Sequence, residues 1–367
     1  MPGVYDADTH IAEPAAMWDL LPPHLYSRRP VVVKVPSDTL YKDRDAMWLI
    51  DGNIFPKPEG RGATRLITPV DQTFAKLMPD IRARDMSDLD ARLKEMDVLG
   101  TETQVVYTTL FLAFYTDDVE LEVAMCRAYN RYLADVCARS GGRIEWVLVP
   151  PLGDMDASIE EIRFGAANGA VGVFFRGFEK NRTLDDPYFF PVYEEARAQD
   201  LAICVHQGSG CPTLDNLGDF ARSQAFLSNR IPPVVAFRNI VANKIPEEFP
   251  GLRWGFIETG ASWVPYALHQ LRTIGHDPVN WGPKLFDEYN IWISYEVDED
   301  LSYVAKYIGE DHIVAGTDFG HHGREGVVAD PSAQLHLVDT IRGREQYSSS
   351  LIDKLLIHNP RALYGRA

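Results

Sequence analysis

Two side chains near the N-terminus invite a chemical reading: Asp8 and His10, two residues apart in the stretch Val4-Tyr5-Asp6-Ala7-Asp8-Thr9-His10. In a β-strand, residues i and i+2 point to the same side, so a carboxylate and an imidazole would leave one strand end together, which is a way to begin a metal site. Asp6 shares that face one step deeper. Alone, the pair equally describes a turn cap followed by a surface histidine. Other ionisable groups, however, stand at the ends of further apolar, β-prone runs: Arg176, His206, Glu258 and Asp318. If those strand ends meet at one place, polar groups there are costly to bury unless paired or ligating, and a metal centre becomes the better account of the set. His321 and His322 follow Asp318 on a glycine-flanked loop, where contact with a substrate and idle exposure are both open readings.

The elements that would position these groups alternate. From Met86 onward, Ser87-Asp88 opens a helix whose apolar residues Leu89, Leu93, Met96 and Leu99 recur at helical spacing, and Gly100 ends it. Strands are predicted at 104–108, 144–149, 171–175, 201–205, 253–257, 290–294 and 313–316, with helices at 119–139, 155–168, 187–199, 232–246, 263–274 and 301–308 between or after them. With the first strand this makes eight, each followed by helical sequence. The pattern reads as an α/β protein, a closed (β/α)8 TIM barrel, with a doubly wound open sheet as the alternative. Residues 1–367 are read as a single metal-dependent barrel domain, in which 15–85 form an irregular insertion, rich in Gly and Pro, covering the barrel mouth. Trp48, Phe55 and Arg61 are candidate substrate contacts from that insertion, or structural residues.

Composition narrows the function classes. Hydrophobic residues make up 46% and charged residues 24%, as in a globular protein with a sizeable core. The net charge of −17 comes with no basic run, which argues against nucleic-acid or anionic-membrane partners and toward a small-molecule substrate. Cys126, Cys137, Cys204 and Cys211 lack the C-x-x-C spacing of a metal or redox motif and suit reduced thiols. No N-terminal leader or apolar membrane span is evident, so a cytoplasmic enzyme is expected.

Together, Asp8-Thr9-His10, Val205-His206-Gln207-Gly208, Phe256-Ile257-Glu258-Thr259-Gly260 with Trp263 and Pro265, and Gly316-Thr317-Asp318-Phe319-Gly320-His321 resemble the amidohydrolase superfamily. The nearer resemblance is to its amidohydrolase-2 branch, which includes aminocarboxymuconate-semialdehyde decarboxylase and the resorcylate-type decarboxylases. Carried over by position, the resemblance implies metal ligation by Asp8, His10, His206 and Asp318. Asp8 stands where the branch usually has histidine or glutamate. Phe174-Phe175-Arg176 replaces the bridging lysine of dinuclear relatives, which implies one divalent ion: zinc, with manganese as the other candidate. Glu258 occupies the place of a sixth-strand histidine.

The resemblance implies non-oxidative decarboxylation of an aromatic or unsaturated carboxylate. Catalytic roles fall to Glu258, Asp318 and His206, and substrate contacts to Arg176, Trp263 and His321. Glu258 reads as a proton shuttle or as a residue orienting a ligand, and Arg176 as a clamp for a substrate carboxylate or as a partner of a barrel acid such as Asp6. The alternative function is hydrolysis by activated water with Glu258 relaying the proton. A non-catalytic ligand-binding barrel is the contrasting class. A homodimer is expected from the resemblance.

Overall fold

The computed structural model describes residues 3–34, 36, 38, 46–55, 80–113, 115–217, 226–273, 282–320 and 331–366. Its main sheet contains eight parallel strands, here numbered β1 (Tyr5–Ile11), β2 (Thr103–Thr108), β3 (Ile144–Leu148), β4 (Ala170–Arg176), β5 (Ala202–His206), β6 (Trp254–Ile257), β7 (Ile291–Ser294) and β8 (Ile313–Val314). They follow one another around the sheet in chain order. The first and last are drawn together by a parallel bridge between Thr9 and Phe319 and by hydrogen bonds from Asp318 N to Asp8 O (2.9 Å) and His10 N to Phe319 O (2.7 Å). The (β/α)8 barrel expected from the alternation is the observed fold.

The strands form where continuous apolar runs can be covered on both faces, by the barrel interior and by the surrounding helices. In β5, for example, every residue is buried. Four of the helices begin at aspartates whose carboxylates accept from backbone N–H groups of the first turn: Asp88 from Ala91, Asp118 from Leu121, Asp154 from Ala157 and Asp300 from Tyr303. The helices Leu89–Leu99, Val119–Arg139, Met155–Ala167 and Leu301–Ile308 fall where periodicity places them. The stretch 187–199 differs: Pro187–Phe189 is a 3-10 turn, and the α-helix starts at Phe190. The stretch 232–246 is broken in two at Lys244, whose left-handed φ of 57° ends one helix and starts another.

Within 15–85, a 3-10 helix Ala15–Leu20 buries Met17 and Trp18 and packs on the Val119–Arg139 helix. The strands Val31–Lys34, Ala46–Ile50 and Asn53–Phe55 make a small antiparallel sheet. Its tight turn uses Asp51 and Gly52, both at positive φ, as a two-residue hairpin requires. Arg28 ties this sheet to the barrel, contacting Asp51 at 2.6 Å and Asp118 at 2.9 Å. Trp48 is buried and Phe55 is packed against the core, while Arg61 lies outside the described residues. Among the described residues, no helix is long and apolar enough to cross a membrane.

Candidate metal centre

Each histidine of the centre is aimed by a backbone carbonyl. His10 Nδ1 lies 2.8 Å from Thr108 O, at the end of β2, and His206 Nδ1 lies 2.8 Å from Gln207 O. A carbonyl can only accept, so each neutral ring carries its proton on Nδ1 and turns the Nε2 lone pair inward. The Thr108 turn is itself held by Glu13, whose Oε1 accepts from Thr108 Oγ1 (2.6 Å), Thr109 N (2.8 Å) and Leu110 N (3.0 Å). Glu13 therefore orients His10 indirectly while also fastening its turn.

Three carboxylates meet these nitrogens. His206 Nε2 is 3.3 Å from Glu258 Oε2 and 3.6 Å from Asp8 Oδ1; His10 Nε2 is 3.5 Å from Asp318 Oδ1, 3.7 Å from Asp8 Oδ1 and 3.8 Å from Glu258 Oε2. All five residues are buried, and the imidazoles are wholly so. Glu258 and Asp318, just beyond β6 and β8, both have φ of +53°. A non-glycine residue in that left-handed region stores strain, which sites retain where it aims a side chain. Thr259 N donates to Ser294 Oγ at 3.1 Å and so supports the turn after Glu258.

Close approach of β1 to the last strand depends on glycine. A Cβ on Gly316 would come 2.4 Å from Asp8 Cβ, and one on Gly320 would come 2.8 Å from His10 O. Asp6 sits beneath Asp8 and accepts from Thr317 N (2.8 Å) and Thr317 Oγ1 (2.7 Å), clasping the same strands together.

The electrostatics describe a crowded acidic site. Burial, reinforced by the Glu258 and Asp8 carboxylates, holds the Asp318 carboxyl well above its usual range. Burial also raises Asp6 to about 7 against the opposing Thr317 hydrogen bonds, and raises Glu296 to about 8 despite Arg230. For His206 burial acts downward, but Asp8 and Glu258 outweigh it and the imidazole is shifted up.

One ligand atom each from Asp8, His10, His206 and Glu258 lies within 4.8 Å of all the others. The N···O separations of 3.3–3.8 Å are too long for good hydrogen bonds, yet close to the ~3.4 Å expected between ligands of a tetrahedral ion at ~2.1 Å. Their geometry and mixed N/O chemistry fit one divalent metal ion.

A family model described as amidohydrolase, that of the amidohydrolase-2 branch, matches residues 5–366. The chain belongs to this amidohydrolase family. Among curated relatives, γ-resorcylate decarboxylase of Rhodococcus jostii (strain RHA1) is 28% identical over 137 residues, 35% of this chain and 42% of that protein. The corresponding enzyme of Rhizobium radiobacter is 24% identical over 208 residues, covering 50% of this chain and 63% of that one. The matches thus span about half the length of these relatives. Among solved structures, an amidohydrolase from Mycobacterium avium subsp. paratuberculosis superimposes with a TM-score of 0.72 at 20% identity, covering 99% of each chain. The 5-carboxyvanillate decarboxylase of Novosphingobium aromaticivorans, solved with manganese and 4-hydroxy-3-methoxy-5-nitrobenzoic acid, gives 0.60 at 17% identity over 76% of this chain and 80% of that one. At these identities the structural likeness speaks to the fold.

For this amidohydrolase, the structure brings the strand-end residues together with one change of emphasis. From sequence, Asp318 takes the fourth ligand place and Glu258 the proton shuttle; in space, Glu258 lies inside the compact four-residue group and Asp318 beside it, against His10. Arg176 is engaged elsewhere: its guanidinium pairs with Glu179, with Nε 3.1 Å from Oε2, and its Nη1 donates to Ala113 O at 3.0 Å. Its acidic partner is thus Glu179, and Asp6 serves Thr317 instead. The Trp263 indole donates to Gly260 O at 2.8 Å and to Thr259 O at 3.1 Å, bracing the Glu258 turn. His321 and His322 lie outside the described residues.

Sequence reading missed Arg92. This wholly buried guanidinium donates to Gln104 Oε1 (2.8 Å), Thr9 Oγ1 (3.0 Å), His10 O (3.2 Å) and Ala83 O (3.4 Å), and stacks 4.1 Å over the Phe319 ring. Gln104 in turn donates to Asp6 Oδ2 at 3.3 Å. The signal was present: an arginine on the apolar face of its helix, three residues after Leu89 and four before Met96.

Proposed function

We propose that this chain is a metal-dependent enzyme of the amidohydrolase-2 type that decarboxylates an aromatic or unsaturated carboxylic acid without redox chemistry. The observation that carries this reading is the pair of imidazoles, each locked by a backbone carbonyl, presenting Nε2 to three buried carboxylates. The decarboxylase names of the relatives support the reaction class. In this reading 1–367 is one domain and 15–85, of which 35, 37, 39–45 and 56–79 lie outside the described residues, is the insertion that covers the barrel mouth.

Asp8, His10 and His206 would hold the ion, with Glu258 as the fourth ligand on distance; the reverse assignment, Asp318 as ligand and Glu258 as proton shuttle, is the alternative. A divalent ion bound there, zinc or manganese, would supply positive charge that grips a substrate carboxylate and its neighbouring oxygen. Asp318 is the proton carrier. It stands beside the four-residue group, 3.5 Å from His10 Nε2, where burial and the surrounding acids raise its affinity for a proton, and from there it would deliver one to carbon as carbon dioxide departs. The C–C bonding pair left on the ring or alkene carbon takes that proton, and Asp318 is reprotonated from water. His206 keeps the geometry through Gln207 O, and the apolar wall of Tyr107 and Phe174, whose rings lie 5.1 and 6.2 Å from that of His206, excludes water.

Hydrolysis is the second reading, favoured by Glu258 itself: a carboxylate in place of the branch's usual histidine can take a proton from attacking water. The discriminating experiment pairs elemental analysis of purified protein with assays of carbon dioxide release and of oxygen-18 incorporation on hydroxybenzoate-type acids. Stoichiometric metal with carbon dioxide release and unlabelled product supports the lyase. Label without carbon dioxide makes it a hydrolase, and protein that takes up no divalent ion removes both.

A further inference from the structure

The loop after β7 runs Glu296-Val297-Asp298-Glu299-Asp300, an acidic run of the kind that ordinarily faces water and caps the next helix. Asp298 and Asp300 are exposed, and Asp300 caps the Leu301–Ile308 helix by accepting from Tyr303 N. Glu299 is partly buried and turns the other way. Its carboxylate crosses to the chain after β6, where Oε1 accepts from Ala261 N (2.8 Å) and Ser262 N (2.6 Å). Oε2 accepts from Ala261 N (3.0 Å) and from Glu296 N of its own loop (3.0 Å). One side chain thus gathers backbone donors from two strand ends.

The donors on the β6 side are consecutive N–H groups leading into the Val264–Arg272 helix, where negative charge is favoured. Gly260 presents them: its φ of 62° turns the chain, and a Cβ there would come 3.2 Å from Glu299 Oε1. Glu258 lies two residues before Gly260, itself at a φ of +53°, and the residue between them, Thr259, is pinned through its N–H to Ser294 Oγ at 3.1 Å. A left-handed non-glycine residue persists only where its surroundings over-determine it, and the Glu299 clamp closes the far side of this turn. Without the carboxylate, the freed N–H groups would let the turn relax, and a change of φ at Glu258 redirects its side chain. On its other side the same loop is tied to the end of β8. Val297 N donates to Gln334 Oε1 at 3.0 Å, and Gln334 Nε2 donates to Gly316 O, two residues before Asp318. The loop after β7 therefore spans from the turn that carries Glu258 to the one that carries Asp318.

We propose that Glu299 is a positioning residue of the metal centre, whose carboxylate fastens the loop after β7 to the turn after β6 and so fixes where Glu258 presents its oxygens. The inference rests on the reading of Glu258 as a metal ligand. A residue that served only to cap the Val264–Arg272 helix would affect stability and leave the metal alone.

The test is the zinc affinity of the full chain, measured by chelator competition. Glu299→Ala should weaken zinc binding about 10- to 100-fold. In a Glu258→Gln background the same substitution should cost less than about threefold more, because its effect passes through Glu258. The visible spectrum of cobalt-loaded Glu299→Ala should move toward that of Glu258→Gln, a change that helix capping alone would not produce. Glu299→Gln keeps the size but has one oxygen fewer to accept; it should weaken zinc at least about threefold, and it decides the matter should the alanine variant fail to fold. Wild-type zinc affinity in both Glu299 variants overturns the proposal, as does a Glu299→Ala effect that persists in full in the Glu258→Gln background. In either case a wild-type chain that binds zinc leaves the metal centre standing. A wild-type chain that takes up no divalent ion overturns the metal reading itself, and this proposal with it.

Discussion

Arg92→Met removes a cation that touches no ligand atom yet holds the backbone on which the metal centre is hung. The side chains have similar reach, so the change chiefly deletes hydrogen bonds. Three are well formed, to Gln104, Thr9 and the His10 carbonyl, and the contact with Ala83 O at 3.4 Å is weak. At about 1 kcal/mol net for each good bond the loss is about 3 kcal/mol. Two further contributions oppose each other: buried acceptors are left unsatisfied, and the cost of burying the guanidinium disappears. That cost is real, since burial pulls the Arg92 pKa down to about 9, although the group stays charged at neutral pH. The expected destabilisation is therefore about 2–4 kcal/mol, a fall in Tm of roughly 3–5 °C for a chain of this size. Metal affinity should fall as well, on the order of 10-fold, because Thr9 and the His10 carbonyl lose their anchor. Urea unfolding and a metal titration read the two effects. Gln104→Leu provides an internal control: its cost on top of Arg92→Met should be smaller than its cost alone, as the 2.8 Å contact couples them. Strict additivity, or a stability loss under about 1 kcal/mol with unchanged metal affinity, would refute the account.

Further outcomes follow from the centre. Asp8→Ala should markedly lower metal occupancy by elemental analysis, and full retention would remove Asp8 from the ligand set. Glu258→Gln should lower metal content more than Asp318→Asn does, whereas Asp318→Asn should abolish turnover while keeping metal; the reverse ranking would exchange their roles. In chelator-treated protein, stability should fall as pH rises from about 5 to 8. Asp6 (about 7), Glu296 (about 8) and Asp318 have folded pKa values above those of unfolded carboxyls, so the folded state holds protons there that the unfolded chain has lost. Thermal melts across that range should show the slope, and Glu296→Gln should flatten it. Gly316→Ala should cost about 2 kcal/mol and most of the metal affinity, since its Cβ would press on Asp8 at 2.4 Å; a crystal structure with β1 unmoved would contradict this.

The barrel and the membership of the centre were legible in the chain because both are local in origin. Strands and helices follow from hydrophobic period, caps and glycine stops read over ten residues, and a polar residue terminating an apolar run announces a strand end. Asp8, His10, His206, Glu258 and Asp318 could be singled out for that reason, and the barrel brought them to one mouth. The division of labour between Glu258 and Asp318 could not be read in this way. It depends on two left-handed backbone turns and on separations of a few tenths of an ångström around His10 and His206. The partner of Arg176 was likewise hidden, since Glu179 reaches it only because the chain doubles back through a short hairpin, Phe178–Glu179 with Arg182–Thr183.

By itself, the sequence determined which residue types stand at the strand ends, the alternation that makes a barrel of them, and a charge balance unsuited to polyanions. The tertiary structure alone decided which atoms face one another. It turned both Nε2 lone pairs inward through distant carbonyls, set Arg92 beneath β1 and Phe319, and carried the Glu299 carboxylate across to the turn after Glu258. Type and period are properties of short segments; orientation and distance arise only when segments far apart in the chain pack together and settle each other's rotamers.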